Sequence, residues 1–248
     1  MKRVMIVTGG GRGIGAATAK MAANRGYAVC VNYQRDHASA GSVVTEIQKN
    51  GGRAIAVGAD VGVEADVVRL FATVDRELGP VTGLVNNAGI IGQKADLVDM
   101  DAARLSHIFS INVTGSFLCA REAIMRMSIG RGGKGGAIVN VSSAASHLGS
   151  PHEYIDYAAT KGAMDTMTIG LAKEVAADGV RVNAVRPGLI YTEIHASGGQ
   201  TGRVDRLKDV VPMKRGGHAH EVASAILWLA SDEASYCTGA FIDVSGGR

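Results

Sequence analysis

Val4-Met5-Ile6-Val7-Thr8-Gly9-Gly10-Gly11-Arg12-Gly13-Ile14-Gly15 joins a short β-rich apolar run to a glycine cluster, and an amphipathic pattern continues from Gly13 to Asn24. The run is continuously apolar rather than alternating, as in a strand buried on both faces. Glycine after such a strand permits a tight turn and lets the backbone approach a phosphate. The helix that starts there offers unpaired N–H groups and the positive end of its dipole. A glycine cluster alone marks only a sharp corner. Strand, turn and helix in this order make a pyrophosphate cradle the sharper reading. Gly9, Gly13 and Gly15 form a TGxxxGxG pattern with Arg12 and Ile14 inside it, and Gly11, Gly13 and Ala16 also satisfy the looser GxGxxA form.

The strand–helix alternation continues outward from this turn. Apolar runs recur at Ala28–Tyr33, Ala54–Ala59, Gly83–Asn86, Ala137–Ser142, Arg181–Val185 and Phe241–Val244. Helical patterns lie between them at Ala38–Lys49, Glu64–Leu78, Ala102–Met127, Tyr157–Ala177 and Glu221–Ser231. Repeated strand–helix units require right-handed crossovers. The pattern therefore predicts an α/β, doubly wound Rossmann fold: a seven-stranded parallel sheet with helices on both faces. No linker, repeat or compositional break marks a second domain, so residues 1–248 read as one dinucleotide-binding domain. The long irregular stretch Leu189–Gly217 carries Gly198, Gly199 and Gly202 and is expected to form a substrate lid at about 189–217.

Composition removes several classes of function. With 46% apolar and 20% charged residues the chain can bury a core. A net charge of +3 without a dense basic run argues against a nucleic-acid partner. No apolar stretch approaches the length of a membrane span, and Met1–Thr8 is too soon broken by glycine to be a signal peptide. Cys30, Cys119 and Cys237 are odd in number and lack metal-ligand spacing. They point to a reducing, cytoplasmic setting and to no metal site.

The second run ends at Asn32-Tyr33-Gln34-Arg35, about twenty residues after the turn, where an NAD-binding protein places an acid on the ribose 2′-hydroxyl. No acid stands at this strand end; Asp36 comes only after Arg35. Arg12 and Arg35 can clamp a 2′-phosphate, because guanidinium matches phosphate geometry. NADP(H) is therefore the expected cofactor, with NAD(H) as second choice.

Further motifs follow in order along the whole chain: Asp60-Val61, Asn86-Asn87-Ala88-Gly89, Asn112 in Ile111-Asn112-Val113-Thr114-Gly115, Ser143, Tyr157-Ala158-Ala159-Thr160-Lys161, and Pro187-Gly188 with Ile190 and Thr192. With the TGxxxGxG turn and the C-terminal Tyr236–Gly247, they resemble the compact branch of the short-chain dehydrogenase/reductase family. The run Ser142–Arg215 resembles a bacterial subgroup known only as uncharacterised oxidoreductases. The resemblance implies an NAD(P)-dependent oxidoreductase acting on an alcohol or carbonyl. It implies that Asp60 and Val61 contact adenine, that Asn87, Ala88 and Gly89 line the cofactor, and that Pro187, Gly188, Ile190 and Thr192 hold the nicotinamide carboxamide. It makes Asn112, Ser143, Tyr157 and Lys161 the catalytic set. It further implies a homotetramer built on the helices around 102–127 and 157–177 and on the C-terminal strand.

The residue types suit that chemistry. Tyr157 and Lys161, four apart on a helix, share a face. An ammonium beside a phenol, along with the positive ring of an oxidised nicotinamide, is expected to lower the phenol pKa from near 10, so that Tyr157 serves as acid/base while Lys161 holds the nicotinamide ribose. Ser143 can donate to the substrate oxygen, and Asn112 is expected to hold a water linking Lys161 to solvent. Ser143 aligns better than Ser142, although its interval to Tyr157 is one residue longer than in many relatives. Tyr154 has Ala158 where Tyr157 has Lys161, and is expected to line the substrate cleft. Specificity should reside in Ala144–Asp156 and Leu189–Met213. The latter's Glu193, His195, Gln200, Arg203 and Arg206 suit a small polar carbonyl or alcohol better than a long acyl chain. A 3-oxoacyl thioester reductase is the nearest alternative, and a catalytically silent cofactor-binding protein the remote one.

Overall fold

The computed structural model describes residues 3–248. Its strands are β1 (Arg3–Val7), β2 (Tyr27–Tyr33), β3 (Ala54–Gly58), β4 (Gly83–Asn86), β5 (Gly136–Val141), β6 (Val180–Pro187), β7 (Ile190–Tyr191), β8 (Gly217–His218) and β9 (Phe241–Val244). Seven form one sheet in the order β3-β2-β1-β4-β5-β6-β9, and β7 and β8 form a separate pair. Every neighbouring pair is parallel. The longer helices are α1 (Gly13–Asn24), α2 (His37–Lys49), α3 (Glu64–Glu77), α4 (Ala102–Phe109) and α5 (Gly115–Met127). They continue, past the one-turn α6 (Ala145–Leu148), with α7 (Ile155–Glu174), the short α8 (Ile194–Ser197) and α9 (Arg203–Leu207), and α10 (Ala219–Ala230).

Strand β1 shows why the sheet is covered on both sides. Val4 and Ile6 pack with Leu70 and Phe71 of α3 and Ala123 of α5. Met5 and Val7, pointing the other way, pack with Ala19 and Ala22 of α1 and Ile226 and Leu227 of α10. All four strand residues are at most 1% exposed, and burial of each such aliphatic side chain stabilises by about 1.5–3 kcal/mol. The chain leaves β1 towards the α1 face and leaves β4 towards the α5 face. Between these neighbours a crevice opens at the carboxyl ends of the strands, the place where open α/β sheets bind ligands.

Two expectations need correction. Ala102–Met127 is not one α-helix: a π-helical turn, Ser110–Thr114, separates α4 from α5. Its cause is visible at Asn112, where the wider turn delivers a fully buried carboxamide to the loop after β4. Asn112 Oδ1 accepts from the Ile90 N–H at 2.8 Å, and Nδ2 donates to the Ile90 carbonyl at 3.0 Å. The stretch Leu189–Gly217 is also less irregular than its sequence, since it contains β7, α8 and α9.

Candidate active site

Two adjoining cavities, of about 440 Å³ and about 430 Å³, open along the carboxyl edge and share Ile14, Asn87, Gly89, Thr192 and Ile194. The first is lined by Gly9, Arg12 and Gly13 of the turn, by Asn32, Tyr33 and Arg35 at the end of β2, and by Asp60, Val61 and Ala88. The second is lined by Ser143, Tyr157 and Lys161, with Pro187, Gly188 and Ile190. Two expected site residues, Gly15 and Asn112, are not part of either lining.

Gly15 works from behind the wall. A Cβ there would collide with the Gly9 carbonyl oxygen and stand 2.6 Å from Asn87 Nδ2. The backbone of α1 therefore rests directly on the turn. Gly9 and Gly13 take φ values of +60° and +52°, which a side chain would strain. Asn32 secures the turn by accepting from the Gly9 N–H at 3.3 Å and donating to the Ala59 carbonyl at 3.0 Å. The first turn of α1 has no acidic residue, and its N-cap, Arg12, makes no side-chain capping bond. The free amides of that turn thus face the cavity with unanswered positive polarity, which fits a dinucleotide pyrophosphate.

At the opposite end, α7 carries Tyr157 and Lys161 side by side. Lys161 Nζ donates to the Val141 carbonyl at 2.7 Å and stands 5.5 Å from the centre of the Tyr157 ring. The adjacent serines separate in role: Ser142 Oγ donates to the Lys161 carbonyl at 3.3 Å, whereas the Ser143 hydroxyl reaches the Tyr157 phenol. Burial pushes the Tyr157 phenol up to about 12, tempered by its hydrogen bond with Ser143. Burial likewise pulls the Lys161 ammonium down to about 8, partly offset by the negative charge of Asp165. Without the nicotinamide charge that the expectation also invoked, burial is the larger effect and the phenol stands above its ordinary value. Desolvation penalises the charged form of both groups.

Asn112 is anchored on two elements. Besides Ile90, its Nδ2 donates to Thr160 Oγ1 at 3.1 Å, so both amide hydrogens are used within the protein. It ties the loop after β4 to α7, one residue before Lys161. Tyr154 lines the second cavity as expected, and its hydroxyl donates to the Gly198 carbonyl at 3.2 Å. His195 shares that wall, and burial, with the nearby Arg203 charge, holds its imidazole below the usual range. The sequence reading passed over Glu153 and Arg248 in this wall, and Ser39 in the first cavity. Only the position of Glu153 inside the specificity segment 144–156 could have drawn attention to it.

A doubly wound sheet, a glycine cradle at its switch point and a Ser/Tyr/Lys cluster in the adjoining cavity define a dinucleotide-binding oxidoreductase. Residues 9–248 match the family model described as enoyl-(acyl carrier protein) reductase. The chain belongs to the short-chain dehydrogenase/reductase family, whose members bind NAD(P)(H) and act on CH–OH groups. It is 56% identical over 245 residues to the uncharacterized oxidoreductase YgfF of Escherichia coli (strain K12), covering 99% of both chains. It is 37% identical to glucose 1-dehydrogenase 2 of Bacillus subtilis (strain 168), covering 99% of this chain and 94% of that one. It is 38% identical to a 3-oxoacyl-[acyl-carrier-protein] reductase of Synechocystis sp., covering 99% of this chain and 96% of that one.

Proposed function

We propose that this chain interconverts a small polar alcohol and its ketone or aldehyde, using NADP(H) in preference to NAD(H), with Tyr157 as acid/base. One observation carries the reading: Ser143, Tyr157 and Lys161 converge on a cavity continuous with the dinucleotide cradle. The turn from Gly9 to Gly15 would hold the pyrophosphate, and Asn87, Gly89 and Thr192 lie where the two cavities meet, beside the place for a nicotinamide. The nicotinamide would supply or take up the hydride at the substrate carbon.

The protein's own part is the oxygen. Ser143 donates a hydrogen bond to the carbonyl oxygen as negative charge grows there, and Tyr157 delivers the proton. Lys161 holds an ammonium beside the phenol and stabilises the tyrosinate left behind. Asn112 positions Ile90 and Thr160, keeping the loop after β4 and the catalytic helix in register. Segment 189–217 serves as the lid, resting on the cavity through Tyr154, Gly198 and Arg203.

Arg12 and Arg35 in the adenosine end support the preference for a 2′-phosphate. The polar wall of Glu153, His195 and Arg203 favours a polar substrate over the long chain of an acyl thioester. Exposed apolar side chains on α5 (Phe117, Met125) and α7 (Ile169) support a homotetramer through those helices. Three free cysteines suit the cytoplasm. The test is loss of NADPH absorbance over aldoses, hydroxyketones, aldehydes and 3-oxoacyl thioesters, with Tyr157→Phe as blank. Turnover on small polar carbonyls that vanishes in the variant, while NADPH still binds, is the expected result. Turnover retained by Tyr157→Phe, or confined to acyl thioesters, overturns the reading. NADH bound as tightly as NADPH overturns the cofactor preference alone.

A further inference from the structure

We propose that Glu153 and Arg203 set the charge of the substrate: as a pair they make the cavity wall neutral and select uncharged carbonyls and alcohols over carboxylates. The inference rests on the reading of the second cavity as the substrate site.

Arg203 comes from α9 in the lid segment, and Glu153 lies two residues ahead of α7. Both line the cavity. Their side chains meet as a fork, Nη1 to Oε1 at 2.8 Å and Nη2 to Oε2 at 2.5 Å. Arg203 is only 8% exposed, and its guanidinium carbon stands 5.3 Å from the centre of the Tyr154 ring. So enclosed, this cation cannot turn to water for solvation, and Glu153 supplies its counter-charge. The hydrogen bonds from Arg203 also hold the Glu153 carboxyl below its ordinary range, so the pair is fully ionised at neutral pH.

The other charges around the cavity are spoken for or screened. Lys161 is directed at the Val141 carbonyl. Burial and the Arg203 charge disfavour the cationic form of His195. Arg248 is exposed, where water and salt weaken its field, and what remains of it acts with Lys94 on the Glu153 carboxyl, favouring its ionised form. A substrate carboxylate seeking Arg203 would have to break a two-pronged bond and leave Glu153 facing a like charge. A substrate hydroxyl meets no such conflict. A carboxylate has about four lone-pair directions and the fork uses two, so an O–H can donate to Glu153 with the pair intact.

The pair could instead be a simple clasp between α9 and the start of α7. Charge-neutral variants separate the two cases, because a clasp loses function for every substrate alike. Hydroxyketones and 2-oxo acids of three to six carbons serve as matched probes, with kcat/KM measured under saturating NADPH. The wild type should favour the hydroxyketone by about tenfold or more, the scale of one charge-assisted hydrogen bond. Glu153→Gln, which leaves the Arg203 cation unpaired, should move the ratio towards the oxo acid by about tenfold. Arg203→Gln should move it the opposite way, and the double variant should return it towards the wild-type value. Should Glu153→Gln fail to fold, the opposite displacements of Arg203→Gln and the double variant still decide the matter. A wild type that favours oxo acids, or single variants that move the ratio in the same direction or not at all, overturns the proposal. A wild type that reduces neither series while binding NADPH instead overturns the parent reading of a small polar substrate.

Discussion

Lys161 Nζ is held 5.5 Å from the centre of the Tyr157 ring by a 2.7 Å hydrogen bond to the Val141 carbonyl. Its charge is therefore fixed by β5 as well as by the helix it shares with Tyr157. Both groups are buried, and burial moves them in opposite directions, the phenol up to about 12 and the ammonium down to about 8. In this state Tyr157 is a poised proton donor, suited to carbonyl reduction. The oxidative direction needs additional stabilisation of the tyrosinate, for which the positive ring of an oxidised nicotinamide is suited.

The first prediction concerns pH. The Lys161 ammonium is present below about 8 and lost above it. With NADPH saturating, kcat/KM for carbonyl reduction should be level through neutral pH and fall as pH rises past about 8. A profile that stays level beyond pH 10, near the ordinary lysine pKa of about 10.4, would show that Lys161 titrates elsewhere.

Lys161→Met should trade activity for stability. The folded-state pKa lies below the unfolded value, so burying the ammonium destabilises fully below about 8, and the penalty disappears as pH rises to the unfolded pKa. The variant should lose turnover yet gain on the order of 1–3 kcal/mol at pH 7. That gain should shrink towards pH 10 in denaturant titrations. A variant less stable than wild type at pH 7 contradicts this account.

Two glycine-to-alanine changes should act with opposite sign. Gly15→Ala forces a Cβ into the Gly9 carbonyl and should cost about 2 kcal/mol or more, with NADPH affinity lost. Gly41→Ala, inside α2 with nothing within 4 Å of the new methyl, should stabilise by about 0.5–1 kcal/mol through helix propensity. Thermal melts and NADPH titrations of both variants check the pair.

Asp156 directly precedes Tyr157. Its fully buried carboxylate accepts from Arg104 Nε at 2.8 Å and from the Tyr157 N–H at 2.9 Å. Asp156→Asn leaves the Arg104 charge partly buried without its counter-ion and should destabilise by about 2–4 kcal/mol. It should also lower kcat more than it alters NADPH affinity, because the first turn of α7 carries the phenol. Urea titration and steady-state kinetics test both halves; an unchanged midpoint would remove the pair from the stability of α7.

Several elements were legible from local pattern. β1 and its glycine turn could be read because four continuous apolar residues, then a threonine and glycines, leave the backbone few alternatives. Tyr157 and Lys161 could be read because helical spacing puts them on one face. Asn112 was read only in part, since its residue type was evident but its partners were not. The partners, Ile90 and Thr160, lie 22 and 48 residues away. The π-helical turn that presents Asn112 has no signature in propensity, because the cost of breaking the helix is met by contacts distant in sequence.

The amino-acid sequence by itself determined the doubly wound sheet and the position of its glycine turn, and it marked Tyr157 and Lys161 as the expected reacting pair. Each of these rests on periodicity, turn chemistry or a motif confined to a few adjacent residues. Tertiary structure alone decided that burial holds the phenol above its ordinary range in the protein by itself, and that Arg203 finds Glu153 across 50 residues. These outcomes depend on burial and on side-chain direction. Both arise only when segments far apart in the chain close around the same volume and exclude water from it.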